Sequence, residues 1–276
     1  MSKFLTNRHT KTASTLMTEA VTLLQQVRYV NATCAKQLCC LTRFLDINKI
    51  IRAAYGSQVE YQELALNAIT HWKRWNEQVK QGTTLPPELT TKDVLFINNG
   101  SLTMTSDESL PQFEKDTMEN MSKAGLAKTQ VLLTNPSDVR HATANGFGFA
   151  VNPFYRTNNF GVLDIQGGFV YADKACWFAL HKAKTLGVQV ILGGAKGTFS
   201  NFLGNATSRI TGVRTADDVS HSAELVIMAC GGWTPSLVTQ LDNVCETTAG
   251  SICIFQLPTD STLWDRFAPK NFPTWT

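Results

Sequence analysis

The chain has 276 residues, of which 43% are hydrophobic, so it is long enough for one large domain or two smaller ones with a sizeable core. Its 25 basic and 22 acidic residues give a formal charge of +3, with no run of like charges long enough to follow a nucleic acid backbone. No stretch reaches the roughly 20 apolar residues of a membrane helix. We therefore exclude nucleic acid and a membrane as partners.

The start of the chain and its cysteines point to the inside of the cell. The first 26 residues contain no continuous apolar stretch of the kind found in signal peptides, so we do not expect secretion. Of the seven cysteines, only Cys34, Cys39 and Cys40 cluster, and their spacing is not that of a usual zinc site. We expect reduced, structural thiols and no metal.

The first half of the chain alternates helical and extended patterns. Residues 13–28 and 59–79 have apolar residues at helical spacing, and we interpret Trp72 and Trp75 in the second stretch as core residues. Residues 93–105 (DVLFINNGSLTMT) predict two strands joined by an Asn-Asn-Gly turn, hence a hairpin. A helix over 112–124 and a short strand over 129–134 follow.

The second half is more regular. Residues 172–186 predict a helix stopped by Gly187, and strands are predicted at 188–192, 198–203 and 209–215. The apolar run 223–229 (AELVIMA) predicts a buried strand that leads into Cys230. This order of elements indicates a mixed α/β (α+β) fold.

Two glycine clusters were tested against phosphate-binding motifs. The Gly146-Phe147-Gly148 stretch lacks a third glycine and a following helix, and residues 193–197 (GGAKG) match neither the Rossmann nor the P-loop spacing. Both clusters are interpreted as turns.

Lys49 and Arg52 form a candidate anion site. If DINKIIRAAYG (46–56) is helical, these two cations are neighbours on one face and, with Asn48, can hold a carboxylate or another anionic group. The alternative is that all three are solvated residues at a helix start.

Several segments, in order along the chain, resemble one enzyme family. DINKIIRAAYG with YQELALNAITHWK, VLFINNGSLTM, FEKDTMENMSKAGLAKTQ, GGFVYADKACWFALHKAKTLGVQVILG and ITGVRTADDVSHSAELVIMACGGWTPSLV are similar to stretches of FAD-dependent amine oxidases of the DAO type. This family includes sarcosine, saccharopine and fructosyl amino acid oxidases. The resemblance covers about 230 residues.

The resemblance implies an incomplete FAD-binding, Rossmann-like domain interleaved with an antiparallel-sheet substrate domain. The FAD-binding part is expected at 46–90 and 166–245, and the incomplete substrate domain at 91–165 and 246–276. Residues 1–45 form an unmatched N-terminal segment. They contain no glycine from 11 to 40, where the family has its G-x-G-x-x-G loop, and the family's later, oxygen-activating and flavin-linking part is not found in this sequence. On this comparison we expect truncation at both ends.

The resemblance also assigns roles to individual residues. It implies catalytic roles for Lys49, close to the flavin ring, and Arg52, which resembles the arginine that meets the substrate carboxylate. The residues that it implies for cofactor binding are Asn48, Lys49, Gly167, Gly168, Cys230, Gly231, Gly232 and Trp233.

The implied activity is oxidation of the C–N bond of a secondary amine to an imine by FAD, with O₂ reduced to peroxide. The implied substrates are N-alkylated amino acids such as saccharopine, pipecolate, sarcosine or a fructosyl amino acid. We expect a monomer in the cytoplasm or peroxisome. The alternative is an inactive member of the family that does not bind FAD.

Overall fold

A computed structural model describes residues 48–107, 109–155, 160–204, 209–230, 233–245 and 255–276, and the backbone of a two-residue strand at 30–31. Two compact units account for them. Residues 48–181 and 256–276 belong to the first unit, and residues 30–31 and 182–255 to the second. The helix predicted at 13–28, the three clustered cysteines, Gly231 and Gly232 lie outside the described residues.

The first unit contains two sheets. Its strands are β2 Asn48–Ile51, β3 Phe96–Ile97, β4 Ser101–Met104, β5 Gln130–Leu132, β6 Gly161–Asp164, β7 Gly168–Tyr171 and β12 Thr274–Trp275. β1 and β8 to β11 belong to the second unit. One sheet has the order β2-β7-β3 and the other β12-β4-β6-β5. All pairs are antiparallel except β12 with β4.

Helices cover these sheets. Their bounds are α1 Val59–Gln81, α2 Gln112–Lys123, α3 Pro136–Ala142, α4 Ala172–Thr185, which continues into the second unit, and α6 Leu263–Arg266. α1 ends at Gly82 in the left-handed conformation (φ +68°), which glycine adopts without steric cost. The predicted helices at 59–79, 112–124 and 172–186 are therefore confirmed.

The apolar faces of α1 and α4 supply the core as predicted. The Trp72 ring stacks on Phe96 with centroids 6.0 Å apart, and Trp75 meets Phe178 edge-on at 5.5 Å. A separate cluster around Leu102 and Leu163 fills the space beside the four-stranded sheet. The interpretation of the two tryptophans as core residues is confirmed.

The predicted hairpin at 93–105 is wrong. Both strands exist, but β3 pairs with β7 and β4 pairs with β6 and β12, so they belong to different sheets. The Asn98 amide donates to the carbonyl O atoms of Ile165 and Gly167, and Gly100 N–H donates to Gly167 O. These bonds hold the Asn-Asn-Gly segment against a distant strand connection and separate β3 from β4.

The second unit contains short sheets. Its elements are β1 Val30–Asn31, β8 Val190–Ile191, β9 Phe199–Gly204, β10 Ile210–Thr215, β11 Ser220–Ser222 and α5 Thr234–Leu237. β1 pairs with β8 in parallel, and β9, β10 and β11 form an antiparallel meander. The strands predicted at 188–192, 198–203 and 209–215 are confirmed within a few residues.

The strand predicted at 223–229 is wrong. This apolar run has no strand assignment, and Leu225 and Ile227 are each 63% exposed. Hydrophobicity shows that a segment favours burial, but a strand forms only where a neighbour completes its backbone hydrogen bonds. None of the described strands pairs with these residues.

The two units are defined by packing and not by what they bind. The assignment of 46–90 and 166–245 to a flavin domain, and of 91–165 and 246–276 to a substrate domain, therefore stays a prediction. Within the described ranges, no helix is long and apolar enough to cross a membrane.

Candidate functional site around Arg52

Lys49 and Arg52 lie on a strand and not on the helix considered for residues 46–56. β2 pairs with β7 so that Asn48 lies opposite Tyr171 and Ile51 opposite Gly168. Asn48 and Lys49 are exposed, and Arg52, which directly follows the strand, is half-buried. A helix would have made positions 49 and 52 neighbours, but alternate residues of a strand point to opposite faces. The helical basis of the paired anion site is wrong.

Gly167 and Gly168 lie where three stretches of backbone cross. A Cβ on Gly167 would come within 2.8 Å of Ile51 O and 2.6 Å of Ser101 Cβ, and one on Gly168 would overlap Ile97 O. Both contacts are with the protein itself. Their small size is therefore explained by close packing, and a role beside the cofactor stays a prediction.

A small polar cavity opens beside Arg52. Its volume is about 20 Å³, enough for about one water molecule. The residues that line it come from four strands or their ends and from α2: Arg52, Ala54, Ser101, Thr103, Glu114, Thr117, Gln130, Val162 and Asp164. One guanidinium and two carboxyl groups thus share a small enclosed space.

Asp164, at the end of β6, is the more deeply anchored carboxyl. It is 6% exposed, and its Oδ2 accepts from Ala53 N–H at 2.8 Å while Oδ1 accepts from Gln166 N–H at 2.9 Å. Burial raises the pKa of Asp164, and these backbone bonds, a Gln130 side-chain bond and the charge of Arg52 act in the opposite direction. Asp164 therefore holds the backbone next to Arg52.

Glu114, in the first turn of α2, is the second carboxyl. It is 8% exposed. Burial raises its pKa, the positive charge of Arg52 lowers it, and the negative charge of Asp164 raises it again. The neighbouring Phe113 ring lies under the guanidinium, with Cζ of Arg52 5.9 Å from the ring centroid.

α2 is fixed against the segment that carries Arg52. Thr117 Oγ1 accepts from Gly56 N–H at 2.9 Å, and the Asn120 amide donates to Gly56 O at 2.7 Å. A side chain on Gly56 would overlap the Phe113 ring, with its Cβ 2.6 Å from Cδ2. This close contact sets the place of Glu114 relative to Arg52.

Sequence reasoning missed Glu114, Asp164 and Gln130. A usable signal existed for Asp164, because an acid directly after the apolar residues Gly161–Leu163 is unusual unless it has partners. Glu114 had no such signal, since an acid in the first turn of a helix is common on exposed surfaces.

The remaining predicted contacts lie in the second unit. Cys230 is half-buried and Trp233 is 54% exposed, and Trp233 N–H donates to Cys230 O at 3.1 Å, as in a tight turn. Their predicted role beside the cofactor is not tested by this geometry.

Comparisons with known proteins agree with the resemblance. The family "DAO: FAD dependent oxidoreductase" matches residues 45–274. No curated protein matches the sequence significantly.

Three solved structures illustrate the similarity. A modified fructosyl peptide oxidase from Aspergillus nidulans, in complex with FSA, is 25% identical with a TM-score of 0.52, over 70% of this chain and 40% of that one. A form of the same enzyme with another mutation gives 25%, 0.50, 70% and 41%. Fructosyl peptide oxidase from E. terrenum gives 23%, 0.51, 70% and 40%. This chain thus spans about two-fifths of the length of these enzymes. Because the family match extends over most of the sequence, the chain belongs to the DAO family of FAD-dependent oxidoreductases.

Proposed function

We propose that this chain is an oxidoreductase that uses FAD to oxidise the C–N bond of a secondary amine, and that its substrate is a fructosyl amino acid or peptide. Family membership supports the reaction class, and the 25% identity to a fructosyl peptide oxidase favours this substrate over saccharopine, pipecolate or sarcosine. The observation that carries the proposal is the half-buried Arg52 beside a polar cavity, at the position where the family resemblance puts a carboxylate-binding arginine.

In the proposed reaction, the amine carbon loses a hydride and its nitrogen loses a proton. FAD, when bound, accepts the two electrons and passes them to O₂, which leaves as hydrogen peroxide. Water then hydrolyses the imine and splits the product. The contribution of the protein is to orient the carbon and to hold the carboxylate with a fixed cation.

Arg52 is suited to hold the carboxylate. Its guanidinium presents two parallel N–H groups that match a carboxylate and remains protonated at any physiological pH. The ring of Phe113 below and the Asp164-anchored backbone of Ala53 behind restrict its position. A substrate bound through its carboxylate would therefore have a defined orientation.

The residues of the first unit fit the flavin in part. The cavity beside Arg52 is far too small for its ring system. The candidates for contact are the exposed side chains of Asn48 and Lys49, because an amide and an ammonium group suit the carbonyl oxygens and the negative charge of a reduced flavin. Cys230, Gly231, Gly232 and Trp233 are the proposed contacts from the rest of the chain.

The test is to purify the chain, measure flavin absorbance, and assay peroxide with a fructosyl amino acid and with saccharopine, pipecolate and sarcosine. A stoichiometric flavoprotein that produces peroxide supports the proposal. A colourless protein that stays inactive with added FAD contradicts it and favours the inactive alternative.

A pair of arginine variants then tests Arg52. Arg52→Ala should raise KM by roughly 100-fold, because it removes a charge-assisted pair, and should leave the flavin content nearly unchanged. Arg74→Ala, at an exposed position on α1, is the matched control and should change neither. Equal losses of flavin and of substrate affinity in Arg52→Ala would show that Arg52 serves the cofactor.

A further inference from the structure

Arg52 shares its cavity with two acids, and these acids are not equivalent. Asp164 accepts hydrogen bonds from two backbone N–H groups, so its carboxylate has partners other than Arg52. Within the described residues, no hydrogen bond to the Glu114 carboxyl group is found, although this side chain is 92% buried and lines the cavity. Its charged form therefore depends on Arg52.

The position of Glu114 is fixed by the rest of its helix. The bonds of Thr117 and Asn120 to Gly56 tie α2 to the segment that begins at Arg52. Phe113, the residue before Glu114, packs under the guanidinium. Glu114 and Arg52 consequently cannot separate without breaking the contact between α2 and this segment.

We propose that Glu114 is a positioning residue that controls how strongly Arg52 binds a carboxylate. The charged form of Glu114 holds the guanidinium and offsets its positive charge, so an incoming carboxylate has to compete with it. The protonated form leaves the guanidinium charge available to the ligand. This inference rests on the proposed role of Arg52 in substrate binding and adds its regulation by pH.

The groups around Glu114 set the direction of the pH effect. The charged groups that act on it are Arg52, after β2, and Asp164, on β6, while Thr117 on α2 and Gln130 on β5 contribute neutral polar atoms to the same cavity. Burial raises the pKa of Glu114 from its usual 4.5, so its proton is lost as pH rises from mildly acidic values. Carboxylate affinity should fall over the same interval.

The experiment measures binding of N-acetylglycine to the full chain by titration calorimetry from pH 5 to pH 8. This probe has a carboxylate but no amine that can be oxidised, so its binding is independent of turnover. We expect the affinity of the wild type to fall as pH rises. Glu114→Gln should bind roughly tenfold more tightly at pH 8 and should lose this pH dependence. Arg52→Ala should abolish binding.

Controls separate the possible failures. Glu119→Gln changes an exposed acid on the same helix, where the side chain is 65% exposed and paired with Lys123, and should behave as the wild type. Circular dichroism of each variant verifies folding.

Two results would overturn the inference. If Glu114→Gln keeps the wild-type affinity and pH dependence while Arg52→Ala still abolishes binding, Glu114 has no control over Arg52, and the proposed clamp stands. If the wild type and Glu114→Gln do not bind the probe, or if Arg52→Ala binds it as well as the wild type, the clamp and its control are both wrong. Flavin absorbance and peroxide production of the same preparations show separately whether the proposed oxidase function fails.

Discussion

Gly168→Ala distinguishes a packing role of this glycine from a role beside the cofactor. A Cβ at this position would overlap the carbonyl O of Ile97, on the strand next to β7. A backbone atom within a hydrogen-bonded sheet cannot rotate away as a side chain can, so the sheet itself has to shift. Overpacking of this kind costs about 3 kcal/mol, at the upper end of the usual range. The ratio of folded to unfolded protein should fall roughly 100-fold.

The assay is urea unfolding of the flavin-free protein, followed by tryptophan fluorescence. Five of the six tryptophans lie in the first unit, so the signal reports on the unit that contains Gly168. Gly204→Ala is the control, because its Cβ would meet nothing closer than 3.7 Å. An unchanged unfolding midpoint in Gly168→Ala, together with weaker FAD binding, would refute the packing explanation and support passage of the chain beside the cofactor.

Three further changes test other contacts of the first unit by the same unfolding assay. Asp93 has its pKa lowered to about 2, first of all by its hydrogen bond to Lys174 (2.6 Å), so it stabilises the fold above pH 3.8 and loses this effect as pH falls through 2. Asp93→Asn should cost about 1 to 2 kcal/mol at pH 7 and much less near pH 2, and an equal cost at both would contradict this. Asn76→Ala removes three bonds to the backbone of residues 95 and 96 and should cost about 2 to 4 kcal/mol, whereas Asn67→Ala, near the surface of the same helix, should cost under about 0.5 kcal/mol. Gly82→Ala should cost about 1 to 2 kcal/mol, because Gly82 ends α1 with positive φ and a Cβ would lie 2.7 Å from Thr91 Cγ2; a neutral effect would show that this helix end adjusts freely.

Helices were predictable because their signals are local. The apolar spacing in α1, the same spacing in α2 and the stop at Gly187 after α4 are all contained within about 25 residues of sequence. Strand partners were not predictable in this way. The segment 98–100 has the composition of a hairpin turn, but its hydrogen bonds go to residues 165 and 167, and no local pattern shows that preference.

The candidate site shows the same limit. Arg52 was identified through resemblance, but Glu114 and Asp164 were not, because the bonds that bring their elements together are distant in sequence. The bond from Ala53 to Asp164 spans 111 residues, and the bond from Gly56 to Thr117 spans 61. An acid becomes informative only when it is buried beside a specific charge, and burial of these two depends on the completed packing.

The change from helix to strand at 48–51 alters what the two predicted cations can do. On a helix, Lys49 and Arg52 would share one face and one anion could bind both. On β2, Lys49 is exposed, whereas Arg52 follows the strand into a cavity with Glu114 and Asp164. The single anion site of the sequence analysis therefore divides into two sites with different electrostatics. An anion near Lys49 meets a solvated cation, while an anion at Arg52 has to displace a buried acid, so only binding at Arg52 should depend on the protonation of Glu114.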